Sequence, residues 1–133
     1  MVYSVEKIRM LTKALGGDKK LFSRLIKEAP EYAALGSALV GNAAAMNWLL
    51  QNDKTLAMFV DSVHDNKTAF QVLIKEKQFV LAAVSNMLNE DEEAELWLEK
   101  HNFKDYIDFA VAIQYAMDKE AENDISGYFT LYG

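Results

Sequence analysis

The chain has 133 residues, of which 51% are apolar, and it carries a formal net charge of −6 at pH 7. This length and composition fit one globular domain with a buried core, and a content of one proline and six glycines argues against a linker-rich chain. The negative charge argues against nucleic-acid binding, which depends on Lys and Arg, and the lack of cysteine excludes disulfides and thiolate metal sites.

Charged residues interrupt the N-terminal segment, where a signal peptide would need a continuous apolar run. No stretch approaches the roughly 18 to 20 apolar residues of a membrane span. We therefore expect no membrane association and a cytoplasmic location.

A pattern that recurs five times organises the chain. Each copy has Asp or Asn first, a small or apolar residue three positions later, and Leu or Ile four positions after that. The copies begin at Asp18, Asn42, Asn66, Asp91 and Asp118, at intervals of 24, 24, 25 and 27 residues. Because Asp and Asn are good N-caps, each copy predicts a short helix, which we call helix A. Such self-similarity is typical of stacked repeats.

A second helix, helix B, is predicted between successive copies. Five segments that begin at Ile8, Tyr32, Leu56, Leu81 and Tyr106 align without gaps and have apolar residues at their first, fourth and eighth positions. This spacing places one apolar stripe on a helix. The turns from B to A are expected to use glycine in the first two units, and His64 with Asp65 or Asn89 with Glu90 in the next two.

The predicted organisation is a single domain of residues 1–133. A lone helix B at 4–16 precedes four A/B units at 18–41, 42–65, 66–90 and 91–117, and a C-terminal cap occupies 118–133. The cap would contain a weak helix A from Asp118 and an aromatic tail that covers the last repeat through Tyr128, Phe129 and Tyr132. The fold class is all-α: an α-solenoid of short antiparallel helix pairs, with roughly nine to ten helices.

The segment ALVGNAAAMNWLLQND, residues 38–53, resembles the helical part of an ankyrin repeat. The period is about nine residues shorter than is usual for that family, which is the length of the β-hairpin finger, so we expect the finger to be missing. The resemblance implies a right-handed stack that contacts protein partners through the helix on its concave side.

No group of residues predicts catalysis or metal binding. His64 and His101 lie in different repeats, and the acidic run 89–93 lacks the alternating ligands and the glycine of a calcium loop. Asp61, Ser62 and His64 include the residue types of a hydrolytic triad, but no nucleophile elbow accompanies them. We expect no catalytic residue, metal or cofactor and hence a protein that is not an enzyme, with a hydrolase as a remote alternative.

Two surfaces are candidates for partner binding. The first is the outward face of helix B with its C-terminal end, which comprises Lys13, Ser37, Val40, Asp61, His64, Asn86 and Asn89. The second is an apolar stripe on helix A, which comprises Phe22, Ile26, Met46, Leu50, Phe70 and Ile74. The next unit has Glu95 and Glu99 at the equivalent positions, so the stripe is either packed core or a partner groove.

The leading hypothesis is a non-enzymatic protein interaction module whose partner is unknown. The alternative is head-to-tail self-association through oppositely charged ends. Residues 1–77 hold 11 Lys and Arg against 8 Asp and Glu, a net charge of +3, and residues 78–133 hold 3 against 12, a net charge of −9. The expected state is a monomer or a weak homo-oligomer.

Overall fold

The computed structural model describes the backbone of residues 3–123 and the side chains of residues 3–120. This part of the chain forms nine α-helices and no strand, which confirms the all-α class. The helices, in chain order, are α1 Val5–Leu15, α2 Lys19–Glu28, α3 Pro30–Leu39, α4 Ala43–Asn52, α5 Lys54–Val63, α6 Lys67–Lys75, α7 Phe79–Leu88, α8 Glu92–Lys100 and α9 Lys104–Asn123.

The recurring Asp or Asn begins each of the four A helices, α2, α4, α6 and α8. The side chains of Asp18, Asn42 and Asn66 each accept a hydrogen bond from the backbone N–H three residues later, at 2.9 to 3.0 Å. Asp91 accepts from the N–H of Glu93 at 3.0 Å. Each cap satisfies one of the N–H groups that a helix start leaves unpaired, so the sequence pattern marks real helix boundaries.

The four turns from B to A share one geometry. Gly17, Gly41, Asp65 and Glu90 all have a left-handed backbone, with φ between 69° and 117°. In each turn the N–H of the next cap residue donates to the carbonyl five residues earlier, at 3.0 to 3.1 Å. This is the Schellman arrangement, and it confirms that Asp65 and Glu90 replace glycine in the later turns.

The turns from A to B differ between the two halves of the chain. A single residue, Ala29 or Asp53, joins the helices in the first two units. Residues 76–78 and 101–103 make longer junctions in the next two, where Lys77 and Asn102 are left-handed with φ of 60° and 64°. The third unit gains two junction residues and loses one from helix A, which explains its period of 25 instead of 24.

The B helices α1, α3, α5, α7 and α9 form a closed ring. Each contacts the next B helix in order, and α9 contacts α1. The A helices lie outside the ring, and each contacts the two B helices that flank it in the chain. The helix pairs are stacked as expected, but the stack curls back on itself. The two ends that the sequence led us to expect as open surfaces therefore pack against each other.

The fourth position of the B stripe forms the centre of the ring. Its five residues are fully buried, each with 0% of its surface exposed: Leu11, Leu35, Phe59, Val84 and Phe109. The rings of Phe59 and Phe109 stack with centroids 6.1 Å apart and planes at 23°. Because α5 and α9 are not neighbours in the ring, this contact crosses the centre and fills it.

An ion pair lies across the joint where the ring closes. Arg9 on α1 donates from Nε to Oδ1 of Asp105 at 2.8 Å and from Nη2 to Oδ2 at 3.0 Å, and Asp105 lies in the first turn of α9. The hydrogen bond from Arg9 holds the pKa of the Asp105 carboxyl below its ordinary value.

The last helix corrects one predicted boundary. Helix α9 runs from Lys104 to Asn123, so no helix A begins at Asp118; this residue lies inside α9, where it accepts a hydrogen bond from Gln114 at 2.9 Å. The segment QYAMDKEA contains no Gly or Pro and is composed mostly of good helix formers, which explains why the helix continues. Tyr128, Phe129 and Tyr132 of the predicted cap lie outside the described residues.

The closing ion pair predicts a pH-dependent effect of Asp105→Asn. A lowered folded-state pKa stabilises the fold above the unfolded pKa of about 4, and this stabilisation is lost as the pH falls through the folded pKa. We expect the variant to unfold at a lower temperature than the wild type at pH 7, and the difference to shrink below about pH 4. Asp108→Asn, on an exposed residue one turn away, is the matched control.

The central stack predicts that Phe59→Ala is strongly destabilising. Removal of a fully buried ring leaves a cavity and typically costs about 3 to 5 kcal/mol of unfolding free energy. Chemical denaturation would measure this value, with Leu96→Ala as a control at a residue that is 62% exposed. A loss below about 1 kcal/mol for Phe59→Ala would contradict the filled centre.

Candidate partner-binding surface

The seven predicted residues on helix B all lie at one end of the ring. Val40, His64 and Asn89 are the C-caps of α3, α5 and α7. The other four lie three residues before a C-cap, and their backbone carbonyls accept the hydrogen bonds that close the turns; they are Lys13, Ser37, Asp61 and Asn86. The alignment therefore placed all seven at structurally equivalent positions.

These residues differ in exposure, so they do not form one continuous contact face. Ser37 and Val40 are buried, with 0% and 4% of their surface exposed, and their side chains are covered by neighbouring helices. Lys13 is exposed but lies on α1, away from the others in the chain. Asp61 is half-buried, as is Asn86. His64 and Asn89 are exposed, although Val40, at the equivalent position of α3, is buried.

His64 and Asn89 each hold the preceding B helix. Nε2 of His64 lies 3.2 Å from the carbonyl oxygen of Leu39, near the end of α3. Nδ2 of Asn89 donates to the Ser62 carbonyl of α5 at 3.3 Å and to the Ser85 carbonyl of its own helix at 2.9 Å. The Ser62 and Ser85 carbonyls also accept backbone N–H groups, from Asp65 at 3.0 Å and from Asn89 at 3.1 Å, so the Asn89 side chain adds a further donor to each.

The side chains of Ser62 and His64, which could belong to a hydrolytic triad by residue type, hydrogen-bond to other groups. The Ser62 hydroxyl is buried and hydrogen-bonds to the Ser85 hydroxyl of α7, and His64 is directed at the Leu39 carbonyl. The hydrolase hypothesis gains no support from this arrangement.

A cleft of about 290 Å³ lies between the α5–α6 turn and the end of α7, and we call it the turn cleft. It brings together Asn86 and Asn89 of the predicted set. Its lining is Ser62, Asp65, Asn66, Lys67, Phe70, Gln71, Ser85, Asn86 and Asn89. Six of these nine residues carry a hydroxyl or an amide, and the Ser62 and Ser85 hydroxyls already hydrogen-bond to each other.

The apolar stripe on helix A changes from core to surface along the chain. Phe22 is buried, with 3% of its surface exposed. Met46 and Phe70, at the equivalent position in the next two units, are half-buried. Leu50 is 40% exposed and Ile74 is 37% exposed. The stripe is therefore core at Phe22 in the first unit, and its apolar surface is exposed at Leu50 and Ile74 in the next two.

The exposed end of this stripe contributes to a groove of about 500 Å³ between α6 and α8, over α7. We call it the outer groove. Its lining is Phe70, Ile74, Phe79, Ala82, Ala83, Asn86, Asp91, Glu93, Ala94 and Trp97. Phe79 is 48% exposed, which is high for a large aromatic side chain. Phe70 and Asn86 line both spaces, so the outer groove and the turn cleft adjoin each other.

Phe79 and Trp97 were not among the predicted site residues. A signal for Phe79 exists in the repeat alignment, because the equivalent positions hold Glu6, Pro30, Lys54 and Lys104. Trp97 is half-buried, and its ring stacks on Phe103 with centroids 6.0 Å apart. This contact fixes one wall of the outer groove.

The α8 side of the outer groove is acidic. Asp91 and Glu93 line it, and six of the ten residues in 90–99 are Asp or Glu. Asp91 is the N-cap of α8, where a negative charge is favoured by the helix dipole. The groove thus pairs an apolar floor with a negative edge.

Within residues 3–120, no cluster of three or more His, Asp or Glu side chains could hold a metal ion. The helices described in the structure include none that is long and apolar enough to cross a membrane. Comparison with protein-family models, curated proteins and solved structures finds no match. The protein is therefore classified by its fold, as an all-α protein of stacked helix pairs.

The contacts of Asn89 predict a structural effect that is separate from binding. We expect Asn89→Ala to lower the free energy of unfolding by about 1 kcal/mol, because two helix-end carbonyls lose a donor. Gln71→Ala, at an exposed position in the same cleft, is expected to stay within about 0.5 kcal/mol of the wild type. Equal stability of the two variants would show that Asn89 does not hold the ring.

Proposed function

We propose that this protein is a non-enzymatic interaction module that binds a short protein segment in the outer groove. The observation that carries the proposal is the exposure of Phe79 and Ile74, 48% and 37%, in a groove with an acidic edge. Exposed apolar side chains grouped in a groove are typical of sites that bind a partner.

The chemistry of the groove defines the partner. Apolar side chains would contact Phe70, Ile74 and Phe79, in the manner of an amphipathic segment laid into a hydrophobic groove. Lys or Arg side chains would face Asp91 and Glu93. The net charge of −9 in residues 78–133 would attract such a basic segment and speed its association.

The resemblance to the helical part of ankyrin repeats supports the same class of function, since stacked helix pairs commonly act as binding surfaces. The ankyrin-like character and a cytoplasmic setting are parts of this proposal. In the ring the partner would bind between outer helices and not on a concave face. Of the residues predicted from sequence, Phe70 and Ile74 of the helix A stripe and Asn86 of helix B line this site.

Self-association of oppositely charged halves is the alternative proposal. Head-to-tail association needs two free ends of the stack, whereas α1 contacts α9 in the same chain. A second copy could instead present the basic half to the acidic edge of α8. Such an association would weaken with salt and would appear as a higher mass at low ionic strength.

A selection from a displayed library of random peptides tests the proposal. We expect the enriched peptides to combine apolar residues with Lys or Arg. Their affinity for the double variant Ile74→Ser with Phe79→Ser should fall by about tenfold or more, because two exposed anchors are lost. Both side chains are exposed, so the fold should persist, and circular dichroism would verify it.

Leu96→Ser is the matched control, because Leu96 is an exposed apolar residue of α8 that does not line the groove. It should bind the peptides as the wild type does. A selection without enrichment, or equal peptide binding by the groove variant and the control, would contradict the proposal. Self-association would be favoured instead if added wild-type protein displaced the peptides and the protein alone had the mass of a dimer.

A further inference from the structure

Two buried hydroxyl groups line the turn cleft. Ser62 on α5 and Ser85 on α7 are 2% and 1% exposed, and their hydroxyls hydrogen-bond to each other across the joint. The positions equivalent to Ser62 in the other B segments hold Ala or Met, and those equivalent to Ser85 hold Thr, Gly, Val or Ala. The alignment of the five segments therefore gives a facing pair of hydroxyls to this joint alone.

One hydrogen of this pair has no acceptor in the described part of the chain. Two hydroxyls carry two hydrogens, and only one of them lies between the two oxygens. A helical Ser or Thr can donate to a carbonyl of its own helix, as the Thr12 hydroxyl does to the Ile8 carbonyl at 2.8 Å. Among the described residues neither Ser62 nor Ser85 makes such a bond. Because a buried donor without an acceptor is costly, the cleft must supply one, from solvent or from a ligand.

The side chain of Asn86 adds a second unpaired polar group at the same place. It is half-buried, makes no hydrogen bond to another described residue, and lines both the turn cleft and the outer groove. Its carboxamide has two N–H donors and one carbonyl acceptor. The amides of Asn66 and Asn89 in the same cleft are already engaged, by the cap of α6 and by the Ser62 and Ser85 carbonyls. Asn86 is therefore the amide that is available to a ligand.

The charges of the cleft favour a neutral ligand group. Asp65 and Lys67 are both exposed and contribute one charge of each sign. A charged group placed against buried hydroxyls would lose solvation without a matching counter-charge. A carboxamide is neutral and matches the cleft in both directions. Its oxygen accepts from the serine hydroxyl, and its NH₂ group donates to the carbonyl oxygen of the Asn86 side chain.

We infer that the turn cleft binds the side chain of an Asn or Gln in the partner segment whose apolar residues bind in the outer groove. This rests on the proposed function, since Phe70 and Asn86 line both spaces and a segment in the groove reaches the cleft directly. The Phe70 ring offers an apolar wall to the methylene groups of that side chain. The polar cleft then fixes the register of the segment, and the apolar groove supplies most of its affinity.

The peptides selected on the wild-type protein test the inference through their sequences. We expect Asn or Gln at one fixed position beside the apolar and basic residues. Leu in place of that Asn, or Met in place of that Gln, keeps the size of the side chain and removes its polar groups. This analogue should bind about tenfold more weakly or worse, because the hydroxyl and the Asn86 amide lose their partner.

The double variant Ser62→Ala with Ser85→Ala removes the hydroxyl pair from the protein. Loss of both partners of a hydrogen bond leaves no unpaired group, so the fold should persist, and thermal unfolding would verify it. The variant should bind the selected peptide about tenfold more weakly and the Leu or Met analogue as the wild type does. Asn86→Ala is a second variant with the same expected pattern. Thr12→Ala, which removes a hydroxyl outside the cleft, is the control and should leave both affinities unchanged.

The results distinguish the amide subsite from the partner groove itself. Peptides that bind through Ile74 and Phe79 without a preference for Asn or Gln would overturn the inference and leave the proposed function standing. Equal losses for the peptide and its analogue on the double serine variant and on Asn86→Ala would also overturn it, because the effect would then be structural. A selection without enrichment would overturn both.

Discussion

The contact of α1 with α9 is the constraint on which the rest of the structure depends. In an open stack each repeat is stabilised by its own contacts and by one or two neighbours, and the terminal repeats are the weakest. Here the first and last B helices contact each other, so each of the five has two B neighbours. The closure also places Phe59 opposite Phe109 at the centre. Short helices of about ten residues are marginal alone, and the closed ring buries their apolar faces.

The local features of this fold could be predicted from the sequence because they depend on neighbouring residues. An Asn such as Asn66 caps the helix that follows it, and Asp65 adopts the left-handed conformation where glycine is absent. The closure could not be predicted in this way. It depends on the small rotation between successive units, which adds up over the whole chain, and no single residue specifies it. At Asp118 the repeat pattern predicted the start of a new helix. The residues around it favour a continuous helix, and α9 runs through this position.

The predicted residues of helix B lie at equivalent positions, as the alignment required, but the ring gives them different exposures. The family resemblance directed attention to the concave side of an open stack, and a closed ring has no such side. Ser37 is therefore buried, and His64 and Asn89 hydrogen-bond to the preceding helix. Asn86 lines the outer groove, as do Phe70 and Ile74 of the predicted stripe, whereas Phe79 was not predicted. Residue types that recur in every repeat are mainly required for folding. Phe79 does not recur, because the equivalent positions of the other repeats hold charged residues or Pro.

Several departures from the repeat lie near the outer groove, and they support the proposal that it binds a partner. The junction after α6 lengthens and Lys77 becomes left-handed, although a single residue suffices at Asp53. Phe79 follows that junction at a position that is charged or Pro in the other units, and α8 replaces the apolar pair of the earlier A helices with Glu95 and Glu99. Phe79 keeps 48% of its surface exposed, and this part of the apolar side chain gains nothing from burial. Local rules broken without a gain in stability are expected at sites kept for binding, and these departures are the physical basis of the proposed partner groove.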